Sequence, residues 1–150
     1  MNISGVMKSL KYSIYILVIV MTGMMSCDSK RDTSELYGMW QLIQWRDADG
    51  QVVAAKEDRI FYSFQLQMAR FTRLTPPQIE IRTFCNQEQN AIKIYDPFVY
   101  LGNEHDSVVS MDKLRYVGVP SNGEMKVVSL SSGSLVLATE AADTLAFRKY

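Results

Sequence analysis

Beyond Glu35 the apolar residues of this chain fall in short alternating runs cut by turn-forming residues, and none sustains a helical stripe for three turns. Such patterning can bury a face only as strands, so the expected class is all-β. The clearest run is "RIFYSFQLQMARF", in which Ile60, Tyr62, Phe64, Leu66 and Met68 point one way and Ser63, Gln65 and Gln67 the other. Before it, "LYGMWQLIQW" opens the sheet, and the Asp49-Gly50 pair in "DADGQ" suits a turn with positive φ.

Further strands are expected over 78–84, 91–95, 99–101, 107–111, 125–130, 135–139 and 144–149. Pro76-Pro77 breaks pairing, Asn122-Gly123 signals a hairpin, and Ser131 to Ser134 joins two alternating runs. The stretch Met111 to Val119 is compatible with a short helical turn. About eight strands at this spacing make either a closed meander barrel or a β-sandwich. Hairpin-length connections favour an antiparallel up-and-down eight-stranded β-barrel, since crossed sandwich connections usually need longer loops.

The chain has 150 residues, 47% hydrophobic and 21% charged, a balance that fits one globular domain. Its formal net charge is zero and no block of like charge occurs, so the footprint needed to hold a phosphate backbone is missing and nucleic acid is not an expected partner.

At the start, Lys8 and Lys11 precede the apolar run "YSIYILVIVMTGMMS", and Cys27 is followed at once by Asp28, Lys30, Arg31 and Asp32. This is the layout of an export signal, and the run falls short of the about 20 apolar residues a spanning helix needs. "MMSC" resembles a bacterial lipoprotein box: Ser26 supplies the small residue before the cysteine, while Met24 and Met25 replace the usual leucine and small residue. The resemblance implies cleavage before Cys27, a diacylglycerol on its sulfur and an acyl group, such as palmitate, on its amine. Residues 1–26 would then be the signal peptide, 27–34 a polar tether and 35–150 the folded domain. Loss of 1–26 removes two lysines and no acid, leaving the mature chain mildly acidic. The expected location is the bacterial cell envelope, in the outer membrane. Asp28 matches an inner-membrane retention signal of some bacteria, whereas the charged tether matches surface export in others.

Gly38-Met39-Trp40 opens the first strand and "TLAFRKY" closes the chain. Together they resemble the small bacterial lipocalin-like lipoproteins, with a Gly-x-Trp first strand and a terminal Phe-Arg-Lys-Tyr strand. The resemblance implies a barrel floor in which Gly38 allows close crossing, Trp40 plugs the floor and Arg148 stacks on the indole. The carboxy-terminal helix of animal lipocalins has no counterpart here, because the chain ends on a strand.

No catalytic constellation is expected. His105 is the single histidine and sits among adjacent loop residues, and there is no Gly-rich phosphate cradle, His-x-x-x-His or Cys-x-x-Cys. With Cys27 lipidated, Cys85 is an unpaired thiol, read as a small apolar strand residue. No metal or cofactor is expected. Two functional classes stay open: a tethered protein carrying a small hydrophobic ligand, lined by Tyr62, Phe64, Leu66 and Met68, and an accessory envelope module with a filled interior that binds another protein.

Overall fold

The computed structural model describes residues 35–102 and 106–150. The leader, the tether and Cys27, as well as His105, lie outside the described residues. Ten strands form one antiparallel sheet: β1 (Gly38–Arg46), β2 (Val52–Ala55), β3 (Ile60–Gln65), β4 (Met68–Arg73), β5 (Ile79–Glu88), β6 (Ala91–Val99), β7 (Ser107–Val108), β8 (Glu124–Leu130), β9 (Ser134–Ala138) and β10 (Thr144–Lys149).

The sheet closes on itself. Hydrogen bonding runs β1-β3-β4-β5-β6-β8-β9-β10, and β10 pairs back to β1 from Trp40↔Lys149 to Arg46↔Thr144. This is the expected eight-stranded meander ring. Strands β2 and β7 are short extensions beside it: β2 pairs with the far half of β1, and β7 with the far half of β6. Closure leaves no long unpaired edge among the described residues, which is how an all-β chain avoids templating further strands.

Alternation fills the ring. Trp40, Leu42, Tyr62, Phe64, Phe71, Ile92, Ile94, Leu135, Leu137, Leu145 and Phe147 are all buried. Tyr62 lies at the centre, its ring 4.6 Å from that of Phe71 and 4.5 Å from that of Phe147. Each such aromatic contributes about 1.5–3 kcal/mol by leaving water, and the tilted and edge-on contacts add to this.

One end of the ring is closed by a 3-10 turn, Met111–Val117, within the stretch the sequence left open between strand and helix. Ser110 caps it by accepting from the Asp112 amide, and Gly118 ends it in the left-handed region at φ +90°. Its Leu114 and Val117 are buried in the core, and the Tyr62 hydroxyl donates to the Val117 carbonyl at 2.7 Å.

Three expectations are corrected. The run from Arg59 to Phe71 is two strands, not one, because Leu66 at φ +54° and Gln67 make a two-residue turn. The inward set therefore passes from Ile60, Tyr62 and Phe64 to Ala69 and Phe71, switching parity across the turn. The expected strands 91–95 and 99–101 are replaced by one continuous β6, in which Asp96 at φ +49° absorbs a bulge against β5. Asn122-Gly123 does not join two paired strands. It turns the chain from the 3-10 segment into β8, with the Ile94 amide donating to the Gly123 carbonyl at 2.8 Å.

Candidate functional site

The end of the ring opposite the 3-10 turn is where β1 begins and β10 finishes. Trp40 is fully buried there and its indole donates to the Leu36 carbonyl at 2.7 Å, so the entering chain is tied to the floor. Gly38, at φ +118°, passes so close to the last strand that a Cβ would lie 2.9 Å from Lys149 Cε. The cation over the Trp40 ring is Lys149, 4.5 Å from its centre, not Arg148. Strand parity explains the correction. Leu145 and Phe147 face inward, so Lys149 shares their side and Arg148 faces solvent. Lys149 also donates to the carbonyls of Glu35 and Tyr37.

Beside this floor lies a pocket of about 390 Å³, within the range of small-molecule sites. It exists because the β5–β6 hairpin runs on from Phe84 to Glu88 beyond the level of the β3–β4 turn, where Phe84 pairs with Met68. The overhang and the entering chain form the two walls: Leu36 and Tyr37 on one side, Cys85 and Gln87 on the other, with Phe64 and Ile92 between. Glu88 is the one charged side chain among the described residues lining it.

Two buried polar atoms on β5 have no hydrogen-bond partner among the described residues, Thr83 Oγ1 and Gln87 Oε1. Each is a buried polar atom left unsatisfied, a hydroxyl that can donate or accept at Thr83 and an amide oxygen that accepts at Gln87. Cys85, between them and 6% exposed, is a free thiol whose pKa burial pushes up to about 11, so it stays neutral. Burial likewise holds the Tyr62 phenol well above its ordinary range. Among the described residues no group of acidic, histidine or cysteine side chains is arranged to hold a metal ion.

The residues named from the sequence separate. Tyr62 and Phe64 are inside the ring, and Phe64 reaches the pocket. Leu66 is 74% exposed on the turn and touches the pocket only at its rim, while Met68 points outward. The single inward row of four therefore does not exist. Leu36, Gln87, Ile92 and Lys149 were not singled out from the sequence. Counting parity back from Leu145 and Phe147 finds Lys149. The pocket residues depend on how far one hairpin overhangs another, which no local pattern encodes.

A second concavity, about 260 Å³, lies on the outer face among Phe61, Arg59, Arg70, Glu80 and Tyr150. Tyr150 packs its ring edge-on against Phe61 at 5.3 Å there.

Comparison with known proteins agrees with this architecture. A family model described as a lipocalin-like domain matches residues 19–150. A crystal structure of a lipocalin-like protein from Bacteroides uniformis is 28% identical with a TM-score of 0.58, covering 77% of this chain and 99% of that one. An uncharacterized protein from Bacteroides eggerthii is 21% identical, TM-score 0.55, over 77% and 99% of the two chains. An NMR structure of a protein from Burkholderia xenovorans is 14% identical, TM-score 0.50, over 79% and 86%. The last two are likenesses of fold alone. No curated protein matches the chain. With the closed eight-stranded ring and a family match over most of its length, the chain belongs to the lipocalin-like domain family.

Proposed function

We propose that this is a non-enzymatic lipocalin-like protein, anchored through lipid on Cys27 in the bacterial cell envelope, that binds a small hydrophobic ligand. The observation that carries the binding reading is the pocket of about 390 Å³ between the entering chain and the β5–β6 overhang, walled by Leu36, Phe64 and Ile92. The centre of the ring is filled by Trp40, Tyr62, Phe71 and Phe147, so the ligand belongs at this end and not in a deep central cavity. The apolar leader ending at "MMSC" supports the anchor, and the envelope location follows from it. The outer membrane is the membrane proposed.

Native mass spectrometry of protein extracted gently from its own membrane tests the reading. A reproducible bound small molecule is the expected result. A bare mass, together with no melting shift against a library of lipids and aromatics, would sink it.

A second reading, an accessory module that docks another envelope protein, is favoured by one observation. The outer face of β5 and β6 carries an aromatic group in which Phe84 lies 6.0 Å from both Tyr95 and Phe98, with Arg82 over Tyr100 nearby. Co-purification of one envelope protein that is lost on Phe84→Ser would favour it over the carrier.

A further inference from the structure

We infer that the pocket at the Trp40 end selects a neutral apolar molecule bearing a hydrogen-bond donor, such as a phenol or alcohol, and rejects carboxylates. The inference rests on the ligand-binding reading above and adds the chemistry of the ligand's polar group.

Five observations carry it. Gln87 lines the pocket, and its buried Oε1 has no partner among the described residues. An amide oxygen so placed lacks an incoming O–H or N–H, which a donor on an occupant of the adjoining pocket would supply. The lining contains Glu88 and no basic residue among those described, so a bound carboxylate would meet a like charge with no cation to balance it, Tyr37, Gln67 and Asn86 offering neutral donors only. Lys149, at the same end, is already engaged by the Glu35 and Tyr37 carbonyls and by the Trp40 ring and does not line the pocket. Leu36, Phe64, Leu66 and Ile92 present hydrocarbon beside the uncharged polar side chains of Tyr37, Gln67 and Asn86, and the adjoining Cys85 thiol is neutral, so the ligand is uncharged and the part that meets the first four is apolar. Size sets a limit too: about 390 Å³ holds a two-ring aromatic or a medium-length chain and not a diacyl lipid.

The test uses three probes with one body: 1-naphthol, naphthalene and 1-naphthoate. Binding to the membrane-extracted protein at neutral pH is followed by naphthyl fluorescence, and occupancy of this pocket by slowed backbone hydrogen exchange over residues 84–92, read by mass spectrometry. The expected order is naphthol tightest, about tenfold over naphthalene, with naphthoate weakest. Gln87→Leu is expected to remove the preference for naphthol while leaving naphthalene binding within about twofold. Equal affinity for naphthol and naphthalene, or tightest binding by naphthoate, overturns the inference and leaves ligand binding standing. Binding without slowed exchange over residues 84–92 overturns the assignment to this pocket. No binding by any probe also overturns it, and the native mass spectrum then decides separately whether the protein carries a ligand at all.

Discussion

Lys149 Nζ stands 4.5 Å above the Trp40 ring, and the two residues are direct cross-strand partners where the last strand of the barrel closes on the first. The ammonium is shared between the indole face and the carbonyls of Glu35 and Tyr37, so one side chain ties the two ends of the domain together. A partly exposed cation–π contact contributes about 0.5–2 kcal/mol. Lys149→Met is therefore expected to lower stability by about 1–2 kcal/mol in urea unfolding, against about 0.5 kcal/mol or less for the solvent-facing Arg148→Met. A larger loss from Arg148→Met would reverse the assignment of the stacking cation.

Tyr62 joins the barrel centre to the segment that closes its other end. Its hydroxyl donates to the Val117 carbonyl at 2.7 Å from a fully buried position. Tyr62→Phe keeps the ring contacts with Phe71 and Phe147 and orphans that carbonyl, a loss of about 1–3 kcal/mol. The Gly118 and Val119 amides, which donate to Arg115 and Leu114 at the end of the 3-10 turn, are expected to exchange faster with deuterium. Unchanged exchange at those two amides would mean that the turn is held by packing of Leu114 and Val117 alone.

What the sequence made legible is what local rules encode. Alternation identified the strands, since Trp40, Leu145 and Phe147 each face inward in step with their neighbours, and turn chemistry located the Gly50 and Ser131–Ser134 reversals. Leu66 marks where this fails. Nothing in "SFQLQM" signals a reversal, because the residue in the left-handed region is a leucine, and the closure of β3 onto β4 imposes that conformation against local preference. Carrying the alternation through this turn puts Met68 on the inner face, whereas it points outward, and the expected lining of the interior fails with it. The pocket was illegible for a related reason: Leu36 and Gln87 are far apart in sequence and meet through strand stagger, a property of the closed ring.

Two glycines with similar dihedrals are expected to respond differently to alanine. Gly50, at φ +80°, has open space where a Cβ would stand, so Gly50→Ala carries the left-handed backbone cost alone, about 1–2 kcal/mol. Gly123, at φ +71°, would place its Cβ against the Ile94 carbonyl oxygen while its own carbonyl accepts from the Ile94 amide. Gly123→Ala must push β6 and β8 apart, and a loss of about 3 kcal/mol or more is expected in thermal or urea unfolding. Equal losses at the two sites would show that backbone strain, not the Ile94 contact, governs both.

Cys85 gives the domain an alkaline weakness. Its thiol pKa rises from 9.0 to about 11 in the folded barrel, so the native state holds a proton that the unfolded chain releases. Stability is fully present below about pH 9 and falls as pH rises toward 11, at about 1.4 kcal/mol per pH unit at most. Tyr62, also raised by burial, adds to the decline above its unfolded pKa. Cys85→Val is expected to flatten the pH 9–10 part of the stability curve and leave the steeper fall at higher pH. An unchanged slope in that window would show that the thiol is already ionised in the folded protein.

The anchor is tested at Cys27. A single acyl chain holds a protein on a bilayer only marginally, whereas a diacylglycerol with a further amide-linked chain buries enough methylene groups, at about 0.8 kcal/mol each, to make attachment effectively permanent. Cys27→Ala is therefore expected to move the folded domain from the membrane fraction to the soluble one after salt washing. Its mass should lack the lipid increment expected for the wild-type protein on a peptide beginning at Cys27. The barrel offers an internal control, because its core from Trp40 to Phe147 lies wholly beyond the cysteine and should melt at the same temperature in both forms. Membrane association that survives Cys27→Ala, with an unmodified mass, would assign the attachment to the apolar stretch before the cysteine instead.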